Sequence, residues 1–414
     1  MRRGTLRNSA LCIAAVVALS ACGGSGESDQ LNNGQGGDPN TPGVGPGPGG
    51  TTQGGGGTTD QDQQLLDSRK VDYGEALRTA SLKLVGELPT FDQIQKIATA
   101  PNEAAQKTAY EAEIDKMLAD PRFAPVMIKW WRDTLATGGN RGATFPSYEF
   151  SATFAASIVV NDRPYSDMFT AKNGTCPTFT AGAAGAAGTF AAADCPGTQP
   201  TAGLVANPDL MSNYYGNMAF RRVRMLQEKF ACSKYPAEFA TAPKPMGAGT
   251  YTSPWPFDSV PGAAAKVNFQ DTSAVICANC HTSMNRTAPL FANWDDKGAY
   301  NAAQVAVMTP VPGNPRTIPT DWLPAGDTTY AWRNGKPTPD VAALGAAMAA
   351  DPDVQRCINT RMYNWAMSKG DVVNDLAAVP AVITDPFVKV FNDNGQKIKP
   401  VIRAVFTSED FVKF

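Results

Sequence analysis

Residues 76–89 read Ala-Leu-Arg-Thr-Ala-Ser-Leu-Lys-Leu-Val-Gly-Glu-Leu-Pro, and Ala76, Leu77, Ala80, Leu84, Val85 and Leu88 recur at steps of three and four. That is the spacing of one helix face, and Pro89 stops it. Thr90 is placed to cap a short second helix through Ile94 and Ile97. A third helix is predicted from Glu103 to Leu118, with Ala109, Ile114, Met117 and Leu118 on one face, and Asp120-Pro121 breaks it. A fourth runs from about Arg122 to Leu135 through Trp130-Trp131, and Gly138-Gly139 ends the set.

Outward from these helices the pattern stays helical between irregular stretches. Residues 173–201 are Ala, Gly and Thr between Cys176 and Cys195, without periodicity. Helical character returns from Leu210 to Ala231, and a Pro-rich stretch follows to Pro261. A second irregular stretch covers Thr309 to Pro339, after which Thr338-Pro339-Asp340 offers a capping hydroxyl, a first-turn proline and an early acid. Breaks are expected at Asp351-Pro352, Asp385-Pro386 and Lys399-Pro400. No strand-rich region or internal repeat is visible. The fold class is therefore mainly α, with helical modules joined by long Pro- and Gly-rich loops. Residues 65–170 form an N-terminal module, 171–337 a middle module and 338–414 a C-terminal module.

The beginning of the chain reads as an export signal. Arg2, Arg3 and Arg7 precede an apolar run from Leu11 to Leu19, and Leu19-Ser20-Ala21-Cys22 follows. The run is far short of the ~20 apolar residues that cross a bilayer core. The small residues before a cysteine resemble a bacterial lipobox, which makes 1–21 a lipoprotein signal peptide and Cys22 the lipidated first residue. An ordinary signal peptide cut near Ala21 is the alternative. Two or more acyl chains make a stable anchor, and Gly23 in place of Asp points to the outer membrane by resemblance to lipoprotein sorting. Residues 22–64 are Gly, Pro, Thr, Gln and Asn with almost no apolar side chain, a disordered tether whose root-mean-square span is roughly 35 Å. Loss of the leader moves the formal charge from −2 to about −5. With charged residues at 18% of the chain, there is no basic field for nucleic acid.

The chemistry lies in Cys277-Ala278-Asn279-Cys280-His281. C-x-x-C-H is the spacing of c-type haem attachment. One helical turn presents two thiols to the porphyrin vinyl groups, and the next residue directs an imidazole at the iron. His281 is the sole histidine among 414 residues with 8 cysteines, so chance placement is on the order of one in a few thousand. A zinc site would have to recruit distant cysteines or carboxylates. A C-x-x-C disulfide beside a bystander histidine is the other competing reading.

The remaining cysteines divide consistently. Cys12 leaves with the leader, Cys22 takes lipid, and Cys277 and Cys280 take haem, which leaves Cys176, Cys195, Cys232 and Cys357 for two bridges. Of three possible pairings, Cys176 with Cys195 and Cys232 with Cys357 are favoured: the first closes the Ala/Gly loop, the second joins the helix before the haem motif to the C-terminal helices. The sixth iron ligand is undetermined. Bis-His ligation within one chain is excluded, Met284 is tied to the proximal side, and Met308 or Met348 are distal candidates, each equally readable as core filler. Arg221, Arg222 and Arg286 are candidates to pair with haem propionates, or to form structural salt bridges.

Three groups of residues together resemble the planctomycete-type cytochrome-c-like proteins. The first is Leu77-Arg78-Thr79 through Gly86-Glu87-Leu88-Pro89-Thr90, with Asp115 to Phe123 and Trp130-Trp131-Arg132-Asp133. The second is Arg221-Arg222 through Cys232, then Cys277 to His281, Met284-Asn285 and Trp294-Asp295-Asp296-Lys297-Gly298. The third is Leu344, Asp351-Pro352, Cys357, Tyr363-Asn364-Trp365-Ala366 and Val405 to Phe411. The resemblance implies an exported mono-haem protein of mostly helical fold, and it lends no substrate. Two features depart from it: the insert at 173–201, and Met284-Asn285 in place of an acidic and proline pair.

The expected function is electron transfer with a redox partner protein at the cell envelope, His281 on the iron of one covalent haem c. A haem enzyme or ligand sensor with an open distal site, peroxidase-like or oxygen-using, is the alternative. A surface binding or scaffold protein with structural haem is a third.

Overall fold

The first three helices begin where the sequence supplies caps. In the computed structural model, which describes residues 64, 68–139, 142–183, 186–197, 200–215, 219–235, 244–246, 249–251, 275–303, 323, 328–373 and 379–414, the Asp72 carboxylate accepts from Gly74 N and Glu75 N and opens α1, Tyr73–Leu84. Thr90 and Gln93 form a reciprocal capping box on α2, Phe91–Ala98. Asn102 caps α3, Glu103–Ala119, and α4 spans Phe123–Leu135. The first helix ends before the predicted Leu88: Gly86 takes φ +75°, and Leu88 lies in the following turn, 61% exposed. The leader, Cys22, residues 22–63 of the tether and Met308 lie outside the described residues.

α5, Phe150–Val160, escaped the periodicity argument because it has no polar face: every side chain from Ser151 to Val159 is buried. After the short α6, Asp167–Thr170, the Ala/Gly insert forms a small hairpin, β1 Thr178–Thr180 against β2 Thr189–Ala191, with Phe179 opposite Phe190. A disulfide between Cys176 and Cys195 closes its base. The helix expected over 210–231 is broken into α7, Pro208–Asn213, and α8, Phe220–Ala231. β3, Lys244–Met246, pairs with β4, Gly249–Tyr251, and the haem-motif helix α9 is Val275–Thr287.

The C-terminal part corrects four local expectations. A two-residue ladder, β5 Ala331–Trp332 with β6 Lys336–Pro337, interrupts the second irregular stretch. The cap of α10, Val341–Ala349, is Asp340, whose Oδ1 accepts from Ala343 N at 2.7 Å, while Thr338 is buried behind it. Asp351-Pro352 does divide two helices, with Asp351 capping α11, Pro352–Ala366. Asp385-Pro386 does not, since Pro386 sits inside α12, Ala381–Asp393. The missing amide leaves only the Val382 carbonyl without its helical donor, and Val382 is exposed to water. Pro400 likewise falls in the first turn of α13, Ile398–Phe406, where no amide partner is needed. The chain closes with α14, Glu409–Val412.

The described part is mainly helical, and residues 63–414 form one compact unit. One apolar cluster runs from Tyr73 to Val412, with Trp131, Phe154, Phe230, Phe291, Trp294, Phe391 and Phe406 fully buried in it. α13 packs on α3, α11 and α12, and α8 packs on α11. A second disulfide, Cys232 to Cys357, fixes the end of α8 to α11. No described helix is long and apolar enough to cross a membrane.

Candidate functional site

The C-x-x-C-H motif, residues 277–281, falls entirely within α9. Helical spacing sets positions 277, 280, 281, 284 and 285 along one side of it, so the two cysteine positions lie one turn apart, with the histidine beside the second. Cys280 is half-buried and packs at the edge of the core; Met284 and Asn285 are buried. The helix is held by its far end: Thr287 donates to the Ala331 carbonyl of β5 at 2.6 Å, and the chain turns through the short 3-10 segment Ala288–Phe291.

Contacts with Asn285 and Phe220 orient the His281 ring. Its Nδ1 lies 2.9 Å from Asn285 Oδ1, one turn further along the same helix. With a carbonyl-type oxygen as partner, Nδ1 carries the proton and donates, so Nε2 carries the lone pair that a metal requires. The edge of the ring meets Phe220, centroids 4.8 Å apart at 75°. Burial pushes the His281 pKa below the usual histidine value, and the Asn285 contact opposes that only in part. The imidazole is thereby kept in its neutral, ligating form near pH 7.

Phe220 is placed by Arg222, two residues into α8. The Arg222 side chain is fully buried, with no carboxylate within ion-pair distance among the described residues. Nε and Nη2 donate to Met211 O at the end of α7, Nη1 to Phe291 O and Trp294 O, and Nη2 also to Asp295 O, all between 2.6 and 3.0 Å. Burial lowers its pKa to about 9, so it stays charged at neutral pH. It is a clamp that gathers the end of α7, the turn after α9 and the Trp294–Gly298 turn around α8. Arg222 was a candidate partner for haem propionates, and this geometry replaces that reading: all its donors serve backbone carbonyls. Arg221 is exposed and donates to Tyr215 O.

The turn it clamps is self-supporting. Asp295 Oδ1 accepts from Lys297 N and Ala299 N, and Ser212 Oγ donates to Asp296 O from α7. Gly298 has φ +71°, and a Cβ there would sit 2.0 Å from Pro208 O, so the close approach of α7 requires glycine. Met348 is fully buried on α10 within the apolar cluster, the setting of a core residue.

The residues present fit the demands of a c-type haem in two respects: C-x-x-C-H lies on one helix, and the imidazole is anchored through Nδ1. Cys277, Cys280 and His281 would hold it. Among the described residues no group of three or more His, Cys, Asp or Glu side chains could hold a metal ion, and haem c asks for only two thiols and one axial imidazole. The Asn285 contact was available to sequence reading, since Asn285 follows His281 by four residues in a helix. Phe220 was not: it is 61 positions before His281, and no local pattern links them.

Residues 58–175 match a family described as PSCyt2, a protein of unknown function (DUF1549). The matched span contains Leu77 to Asp133, where the first part of the resemblance lies. No curated protein and no solved structure matches the chain.

Proposed function

We propose that the chain is an exported, lipid-anchored mono-haem c-type cytochrome that passes electrons to or from a partner protein at the cell envelope. The observation that carries the reading is the anchored imidazole: His281 follows Cys280 on α9, with Nδ1 on Asn285 and its ring edge on Phe220. When bound, haem supplies a one-electron couple at the iron. The protein's part is to hold and orient. Cys277 and Cys280 fix the porphyrin to α9, Asn285 sets the tautomer and rotation of His281, and Arg222 holds α8 so that Phe220 limits tilting of the ring. Cys22 supplies the lipid anchor, and the Gly-rich tether gives the folded unit its reach.

The test uses the full chain, made in a host that matures c-type cytochromes. A haem spectrum that stays with the polypeptide after acid-acetone extraction is expected, and it should vanish in Cys277→Ala/Cys280→Ala. Extraction of all porphyrin from the parent protein would end the proposal. Cys22→Ser should move the protein from membrane to soluble fractions.

A haem enzyme or sensor is the second reading, because His281 is the sole histidine and Met348 belongs to the core. Ready binding of carbon monoxide by the reduced protein at neutral pH would favour it over electron transfer.

A further inference from the structure

A second site lies on the other end of α8. Between α4, α8 and α11 a cavity of about 230 Å³ is walled by Trp130 and Trp365, with Lys229, Arg361, Asn364 and Lys369 around it. The indole rings stand 6.3 Å apart between centroids.

The charges around the cavity are unevenly matched. Asp371 is paired with the Arg361 guanidinium at 3.1 Å, and Asp133, at the rim, with Lys129. Lys229 is half-buried with no carboxylate within ion-pair distance among the described residues, and burial pushes its pKa down. Lys369 lies over the Tyr363 ring, 5.5 Å from its centroid, and likewise lacks a carboxylate there. Two ammonium groups without a carboxylate partner among the described residues and two indole walls define a complementary ligand: a single negative charge on a planar apolar body.

We propose that this cavity binds a small aromatic carboxylate, its carboxylate at Lys229 and Lys369 and its ring beside Trp130 and Trp365. The proposal does not rest on the haem. Isothermal titration calorimetry of the full chain with benzoate tests it, against benzyl alcohol and inorganic phosphate. Saturable binding of benzoate is expected, with Lys229→Met weakening it about ten- to a hundredfold and Lys229→Arg restoring part. Lys369→Met serves as the second variant should Lys229→Met lose its native circular dichroism. No saturable heat with benzoate up to about 10 mM, equal binding of benzyl alcohol, stronger binding of phosphate, or unchanged affinity in a folded lysine variant would each overturn it.

Discussion

Arg222 shows how a charged side chain can be wholly structural. Its five carbonyl contacts come from three chain segments, so removing it strands acceptors in all of them at once. Arg222→Met is expected to destabilise the protein by about 3–5 kcal/mol, read from urea unfolding monitored by circular dichroism. Arg222→Lys should recover little, because an ammonium cannot reproduce the planar fork. A loss under about 1 kcal/mol would mean that water replaces the guanidinium and that the clamp is dispensable. Glu113 is a different case: a buried carboxylate that meets Lys116 at 2.6 Å, Gln93 at 2.9 Å and Lys96 at 3.5 Å. Burial alone would raise its pKa, but the bonds from Lys116 and Gln93 and the two ammonium charges outweigh that and lower it. A folded-state value below the unfolded one contributes stability above the unfolded value of about 4.3, and that contribution is lost as pH falls through the folded value. Melts of Glu113→Gln should therefore lie below the parent at pH 7 and converge with it toward pH 3.

At the scale of elements, the α8–α11 junction is held twice. The Cys232–Cys357 bridge spans 125 residues, and four residues beyond Cys357 Arg361 donates to the Lys229 and Glu228 carbonyls at the end of α8. Chain-entropy arguments give about 5 kcal/mol for a loop of that length and about 3 kcal/mol for the 19-residue loop of Cys176–Cys195. Cys232→Ala/Cys357→Ala should thus lower the urea midpoint more than Cys176→Ala/Cys195→Ala, and the reverse order would show that the hairpin insert matters more to the fold. Both pairings were open to sequence reading because loop composition and chain position favoured them. The α2 and α3 starts were legible for a related reason: Thr90 and Asn102 act within three residues of themselves. What escaped was non-local or aperiodic. α5 has no polar side to mark a period. Pro386 is tolerated where the residue whose carbonyl loses its helical donor, Val382, is exposed. Asp340 displaced Thr338 as a cap because Thr338 turns inward. At the candidate site the thiols and imidazole could be read directly, whereas Phe220 and Arg222 reach it only through the fold.

At the scale of the whole molecule, the end of the chain is woven into its beginning. Lys70 N and Phe414 N exchange bonds with each other's carbonyls at 2.9 and 3.0 Å, and Asp72 N donates to Val412 O at 2.9 Å. The Tyr110 hydroxyl donates to Phe406 O at 2.6 Å, Tyr165 N to Gln396 O at 2.8 Å, and Arg403 pairs with Asp115. Phe411 and Val412 are buried, Phe411 against Phe406 at 4.7 Å between centroids. Deleting residues 409–414 removes these two buried side chains, at about 1.5–3 kcal/mol each, and three terminal backbone bonds at about 1 kcal/mol each. That sum, about 6–9 kcal/mol, lies within the 5–15 kcal/mol of an ordinary folded protein. Because α1 receives its cap residue's backbone partner from Val412, the loss should not stay at the C-terminus. A truncated protein is expected to melt in one transition well below the parent, with amide exchange accelerated in α1 and α3 as well as α13. Two transitions, with the segment 68–170 keeping its parental melting temperature and exchange protection, would show instead that the N-terminal helices fold as an independent module.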